Sequence, residues 1–294
     1  MKPAAFTYHR PGTLDAALAL LERHGEGAQI LAGGQSLGPL LNLRMAFPDH
    51  VIDINDLTGL DHMQRRDDRF EIGALARHHD VATSPEVRRH VPLLAAAVGT
   101  IGHYAIRQRG TMGGSIVQAD PASQIPLIAI TLDADICILS RGGTRTVPAA
   151  EFMRGAMEVA LEDGEIVTAL RFPVQSDPQR WAFRNFCRRR GDYALASVAL
   201  TLALEPDGRL RELRCCVGGT APVPVRMTKV ETAAQGACHD AAWQAETARR
   251  IAAEVPAGDD PQATKTFRRD IVEVLAARAL ADALTDPEAG RASA

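Results

Sequence analysis

Two pairs of adjacent glycines, Gly33-Gly34 and Gly113-Gly114, each close an apolar stretch and each keep a hydroxyl residue beside them. A lone Gly-Gly is an ordinary tight turn between core strands. Here Ala32 and Ser36 flank the first pair and Thr111 and Ser115 the second, with a further polar segment at 118–126. Side chains without Cβ let the backbone approach a ligand closely, and consecutive N–H groups can then gather around an anion. The chain must therefore fold so that two segments about eighty residues apart meet, and the expected product is an envelope for a phosphate-bearing molecule.

The surrounding pattern places both segments in an α/β layer. Thr13 caps a helix carrying Leu14, Ala17, Leu18 and Leu21, and His24-Gly25 stops it. A short strand at 28–31 runs into the first glycine turn. Ser36 is expected to cap a helix from about Pro39, and 51–54 closes a strand-helix-strand alternation. Further on, a strand at 70–72, one helix after Ser84-Pro85 through Ala95, and a hairpin about Arg141-Gly142-Gly143 are expected, then a strand at 166–172. The polar stretch 175–179 is the best domain boundary. Beyond it, strands at 181–187, 193–204 and 210–217 read as an antiparallel meander, followed by helices at 241–253 and 264–284 and a loose tail at 287–294.

Composition removes several classes. With 294 residues, 46% apolar content and a net charge of −3, the chain buries a large core and has no global basic field for nucleic acid, despite Arg188-Arg189-Arg190. The start of the chain lacks the apolar core of a secretory signal, so a cytoplasmic protein is expected. Residues 194–204 are too short to span a membrane and read as a buried strand. The five cysteines have no Cys-x-x-Cys spacing, which argues against a disulfide framework, a zinc ribbon and an internal iron-sulfur cluster, and Cys215 and Cys216 are expected on opposite strand faces.

Two competing motifs are weak. His78-His79-Asp80 is a possible metal cluster, but adjacent histidines usually diverge, and a capping or solvated role is preferred. Gly34-Gln35-Ser36-Leu37-Gly38 matches the nucleophile elbow of α/β-hydrolases. Ser36 comes after only two strands, and neither His103 nor His239 sits in a distinctive motif, so a serine hydrolase is the minor alternative.

At these residues the chain resembles the FAD-binding medium subunit of the molybdenum hydroxylases, the group of xanthine dehydrogenase and aerobic carbon monoxide dehydrogenase. The resemblance runs through Ala32 to Leu37, Ile106 to Ser115, Asp120-Pro121-Ala122-Ser123 and Arg190-Gly191-Asp192-Tyr193-Ala194, in order along nearly the whole chain. It implies an α+β protein. Two α/β subdomains, about 1–56 and 57–175, would form an FAD-binding domain of the vanillyl-alcohol-oxidase type. A C-terminal domain of antiparallel sheet with helices would occupy 179–286.

Carried over by position, Ala32, Gly33, Gly34, Gln35, Ser36 and Leu37 would hold the pyrophosphate with Thr111, Gly113, Gly114 and Ser115. Gln124 would serve the sugar, Asp120 would also bind the cofactor, Tyr193 would lie near the isoalloxazine, and Val167 and Arg184 would be at the flavin edge. Ser115 and Gln108 replace asparagines of the pattern, and Gln124 replaces an aspartate. Catalytic residues and metal ligands are not expected in this chain. A large molybdopterin subunit and a small subunit with two [2Fe-2S] clusters would complete a dimer of heterotrimers that reduces an external acceptor. Loss of the cofactor, leaving a non-catalytic assembly subunit, is the other alternative.

Overall fold

The computed structural model describes residues 2–175, 179–285 and 292–293. Three sheets organise it, each with its own apolar cluster. The first is parallel, in the order Thr7–His9, His50–Asp53, Ala28–Leu31. Its helix Leu14–His24 starts where Thr13 accepts from the Ala16 N–H, and it turns Ala17, Leu18 and Leu21 onto Ile52 and Ile54. Strands Ala28–Leu31 and His50–Asp53 are parallel neighbours, so the turn after Leu31 and the Ile54-Asn55 exit lie side by side, the usual place for a ligand in such a layer.

The second sheet is antiparallel, ordered Met63–Arg66, Arg69–Gly73, Ile166–Pro173, Asp135–Ser140, Gly143–Pro148. Its covering helices depart from the sequence reading in two places. Pro92 forces Val91 out of helical geometry, to φ −141° and ψ 58°, so one expected helix becomes two, Pro85–His90 and Pro92–Gly99. The expected polar loop at 118–126 ends in the helix Gln124–Thr131, buried along its whole length. Periodicity could not reveal that helix, because an element covered on every side carries no polar face.

The third sheet, ordered Val225–Arg226, Leu210–Gly218, Ala194–Leu204, Arg180–Cys187, Ala292–Ser293, is the expected meander with two short edge additions. Helices Ala241–Glu254 and Lys265–Thr285 pack on one face through Ile251, Val272 and Leu280, against Val198, Leu200 and Leu202. From the other face Phe183, Ala199 and Cys216 join the core of the second sheet. Burial on both faces explains why the central strand reads as an unbroken apolar run. Cys215 and Cys216 fall in different cores, as strand alternation requires. Of the expected boundary at 175–179, residues 176–178 lie outside the described residues, as do residue 286 and residues 287–291 and 294 of the expected loose tail. Ala292 and Ser293 correct that expectation, since they pair in parallel with Phe183 and Arg184.

Candidate cofactor cleft

A cleft of about 780 Å³ lies where the three sheets converge. The first parallel layer contributes Ala32, Gly33, Gly34, Gln35, Ser36 and Leu37; the second unit contributes Thr111, Gly113, Gly114, Ser115, Asp120, Gln124 and Val167; the third contributes Tyr193. Fourteen of the fifteen sequence-derived site residues thus line one cavity. Arg184 does not. Its guanidinium points away and is held by Asp282 at 2.6 Å, tying strand Arg180–Cys187 to helix Lys265–Thr285.

The two glycine segments touch. A Cβ on Gly33 would fall 2.3 Å from the Arg109 carbonyl oxygen, so that contact exists only with glycine. Gly34 takes φ +68°, which favours glycine and turns the chain away from strand Ala28–Leu31. Around this turn the N–H groups of Gly33, Gly34, Gln35 and Ser36 donate to no protein acceptor among the described residues. Helix Leu37–Asn42 begins two residues before the expected Pro39, and Ser36 makes no side-chain cap bond.

The second segment is built differently, and it departs from the expectation that N–H groups of both segments gather around one anion. Residues Met112–Gln118 are helical, and Thr111 is the cap. Met112 donates to Ala76 O at 3.1 Å, Gly113 to Ala74 O at 2.8 Å, Gly114 to Thr111 Oγ1 at 3.1 Å and Ser115 to Thr111 O at 3.0 Å. Those amides are spent inside the protein. What remains for a ligand is a wall without Cβ atoms and the hydroxyl pair Ser115–Ser123, 3.0 Å apart.

A polar brace that the sequence did not single out holds the segments together. Asn55 Nδ2 donates to Ala32 O at 2.8 Å, Arg77 Nη2 to Asn55 Oδ1 at 2.7 Å, and Arg77 Nη1 to Arg109 O at 2.6 Å. Asp53 anchors Asn55 by accepting from its N–H at 2.9 Å and its amide at 2.6 Å, and it also accepts from the Tyr8 hydroxyl at 2.5 Å. Burial pushes the Asp53 carboxyl up, but the bonds from Tyr8 and Asn55 outweigh it and hold the pKa below its ordinary value. The available signal was positional, since Asp53 and Asn55 are polar residues at the carboxyl end of a buried parallel strand.

His78 completes the clamp. Its N–H donates to Gly110 O at 2.9 Å and its ring Nε2 donates to Thr111 O at 2.9 Å. Nδ1 is then a bare, buried acceptor with no partner among the described residues. Burial drives the imidazole pKa down to about 4. The ring is a buried neutral strut, so His78 has neither the solvated nor the capping role that the sequence reading preferred for His78-His79-Asp80. Ser36 makes no hydrogen bond to a histidine among the described residues, so the hydrolase alternative lacks its base.

The remaining lining fits a sugar and an aromatic ring. Burial raises the Asp120 pKa, although its Oδ1 accepts from the Ala122 N–H at 2.8 Å. Gln124 is only 6% exposed at the start of its helix. Tyr193, 60% exposed, stands at the mouth, and its phenol pKa is raised by partial burial and by the Asp120 carboxylate.

Comparison with known families matches residues 4–175 to the FAD binding domain in molybdopterin dehydrogenase, and residues 181–283 to the CO dehydrogenase flavoprotein C-terminal domain. The chain belongs to the FAD-binding medium subunits of the molybdenum hydroxylases. This medium subunit is 36% identical to the glyceraldehyde dehydrogenase medium chain of Sulfolobus acidocaldarius, over 95% of its own length and 98% of the relative's. It is 34% identical to the nicotine 6-hydroxylase medium subunit of Paenarthrobacter nicotinovorans, covering 96% and 99%. Among solved structures, carbon monoxide dehydrogenase from Hydrogenophaga pseudoflava aligns with TM-score 0.92 and 32% identity over 97% of this chain and 99% of the other. Quinoline 2-oxidoreductase from Pseudomonas putida 86 aligns equally well, at 0.92 and 30% identity, covering 96% and 98%. The medium subunit is accordingly an oxidoreductase component with an FAD-binding domain, and its cleft is lined by the Gly33–Ser36 turn, whose amides have no protein acceptor among the described residues.

A second cavity, about 1150 Å³, adjoins the cleft across Gly102 and Gly191, which line both. Its walls carry Arg88, Arg107, Arg189, Arg190, Trp181 and Asn185. Asn185 is 8% exposed, and its Oδ1 has no hydrogen-bond partner among the described residues.

Proposed function

We propose that this chain is the electron outlet of a molybdenum hydroxylase. It would receive electrons from two [2Fe-2S] clusters on a small partner and pass them to an external acceptor, while a large molybdopterin partner selects and oxidises the substrate. Bound FAD supplies the ability to exchange one or two electrons. The observation that carries this reading is the turn at Gly33 to Ser36, whose free amides face a cleft closed by Ser115, Asp120, Gln124 and Tyr193.

The chain's own residues bind and orient. Amides of the first turn would take the diphosphate, Ser115 and Gln124 the sugar hydroxyls, and Val167 and Tyr193 the ring system, which an aromatic side chain can cover. Ser115 and Gln124 keep hydrogen-bonding groups where the family pattern has asparagine and aspartate, but with a different donor and acceptor balance, so their contacts would be weakened or rearranged rather than lost. The adjoining cavity suits the acceptor, because four arginines on its walls favour a polar or anionic oxidant, and Asn185 also lines it. Partner subunits have an exposed apolar surface to cover at Leu43, Met45 and Phe47, which are 56%, 69% and 67% exposed. Five unpaired thiols agree with work in the cytoplasm.

Purified from its native complex, the chain should carry one FAD, lost when Gly33 and Gly113 are both replaced by valine. A complex that yields no FAD on extraction would overturn this reading in favour of a cofactor-free assembly subunit. Asn185→Leu should raise the KM for the acceptor and leave that for the reducing substrate unchanged.

A further inference from the structure

Away from the cofactor cleft, three histidines from three separate elements meet. His9 ends strand Thr7–His9, His50 opens strand His50–Asp53, and His24 ends helix Leu14–His24. Thr7 pairs with His50 in the parallel ladder, so His9 and His50 project from the same sheet face on adjacent strands. The helix packs over that face and delivers His24 to it. His9 Nε2 and His50 Nδ1 are 3.0 Å apart. One ring nitrogen from each of the three histidines lies within 4.8 Å of the other two. All three residues are partly exposed, so solvent and small ions reach them.

We propose that His9, His24 and His50 form a binding site for a divalent transition metal of the zinc class, which fastens the end of the first helix to the first parallel sheet. Imidazole nitrogen is a borderline donor suited to zinc, copper and nickel, and unsuited to magnesium or calcium. A tetrahedral zinc with bonds of about 2.0–2.1 Å holds its ligand nitrogens about 3.3 Å apart. The His9–His50 pair is close to that spacing already. The ring centroids of His9 stand 5.2 Å from His50 and 5.3 Å from His24, in tilted arrangements that allow nitrogens to converge. His24 and His50 are instead stacked, with centroids 3.7 Å apart. On metal binding the His24 ring leaves that stack by turning about its own side-chain bonds, and water fills the fourth position.

The consequence is local. Gly25, Glu26 and Ala28, which follow His24 directly, line the cofactor cleft, so a metal at this site would stiffen one cleft wall without touching the cofactor. No redox chemistry is assigned to it, and the site stands whether or not the chain binds FAD.

The test uses the full-length chain without an affinity tag, stripped with a chelator and titrated with Zn2+ by calorimetry. One equivalent should bind, thermal stability should rise with Zn2+, and His9→Gln, His24→Gln and His50→Gln should each weaken binding at least tenfold. His239→Gln, on a partly exposed residue of the C-terminal domain, should bind as the parent does. As a readout that needs no variant, one equivalent of Zn2+ should protect these three histidines, and not His239, from diethyl pyrocarbonate. The absence of a stoichiometric site, affinity in the three variants equal to the parent's, or equal labelling with and without Zn2+ would each overturn the proposal.

Discussion

The two glycine pairs have nearly the same local sequence character and opposite structural roles. Gly33-Gly34 sits in a turn between a strand and a helix, and its amides are left without protein acceptors. Gly113-Gly114 sits inside the first turn of helix Met112–Gln118, and its amides are used on Ala74 O and Thr111 Oγ1. One pair donates, and the other makes room. A binding cleft needs both, because donors on one wall are useful only when the facing wall comes close enough to hold the ligand against them. The brace of Asp53, Asn55 and Arg77 with the His78 strut sets that distance from the protein side.

The most severe way to break this pairing is Gly33→Val. The Cβ would meet backbone atoms of Arg109 and Gly110 at 2.3 to 3.0 Å, and backbone cannot swing aside as a side chain can. Overpacking usually costs about 1–3 kcal/mol. Here about 4 kcal/mol is expected, with loss of the flavin absorbance, as measured by denaturant unfolding and cofactor content.

Acidification attacks the clamp on the second segment next. The unfolded His78 titrates near 6.5, whereas the folded ring resists protonation down to about 4. Below pH 6.5 the unfolded chain gains a proton that the native chain refuses, so stability is complete above 6.5 and is lost as pH falls toward 4. The full loss is about 3 kcal/mol at the usual conversion. His78→Gln should flatten this acid limb in unfolding curves taken between pH 7 and 4.

Asn55→Ala tests the brace between the segments. It removes the donor to Ala32 O and the acceptor for Arg77, leaving partly buried groups unpaired, for about 2 kcal/mol. Because Asn55 lines no part of the cleft, weaker FAD binding in this variant would report the position of the turn rather than a lost contact.

How much of this was legible in the sequence follows from what each feature depends on. Amphipathic helices and the meander could be read because one face of each meets a core and leaves a period, as with Ala17, Leu18 and Leu21. Helix Gln124–Thr131 was not legible, since burial on all sides erases the period, and Val91 hid a break that Pro92 imposes. Fourteen residues carried over from the family resemblance line one cavity. Arg184 was misplaced because strand alternation alone cannot say which of two packed layers receives a side chain, and here Asp282 on the covering helix takes it. Asn55 and Arg77 went unread because their role exists only once segments 22 residues apart in sequence bond to each other.

The smallest expected effect separates the two halves of the second glycine pair. A Cβ on Gly113 would meet Ala74 Cβ at 2.6 Å and Ala74 O at 2.9 Å, both fixed by the neighbouring backbone. On Gly114 it would meet only Thr111 Oγ1, at 2.8 Å, the end of a side chain that can turn. Alanine at 114 also gains about 1 kcal/mol of helix propensity over glycine, against the weakening of the Thr111 cap, worth about 1 kcal/mol. The two nearly cancel, so Gly114→Ala should change stability by less than about 0.5 kcal/mol. If position 114 merely makes room within its own helix turn, FAD content should also hold in this variant. Loss of FAD at unchanged stability would instead mean that the ligand approaches the main chain at 114 as closely as it does at Gly33, and the division between a donating wall and a spacing wall would have to be redrawn.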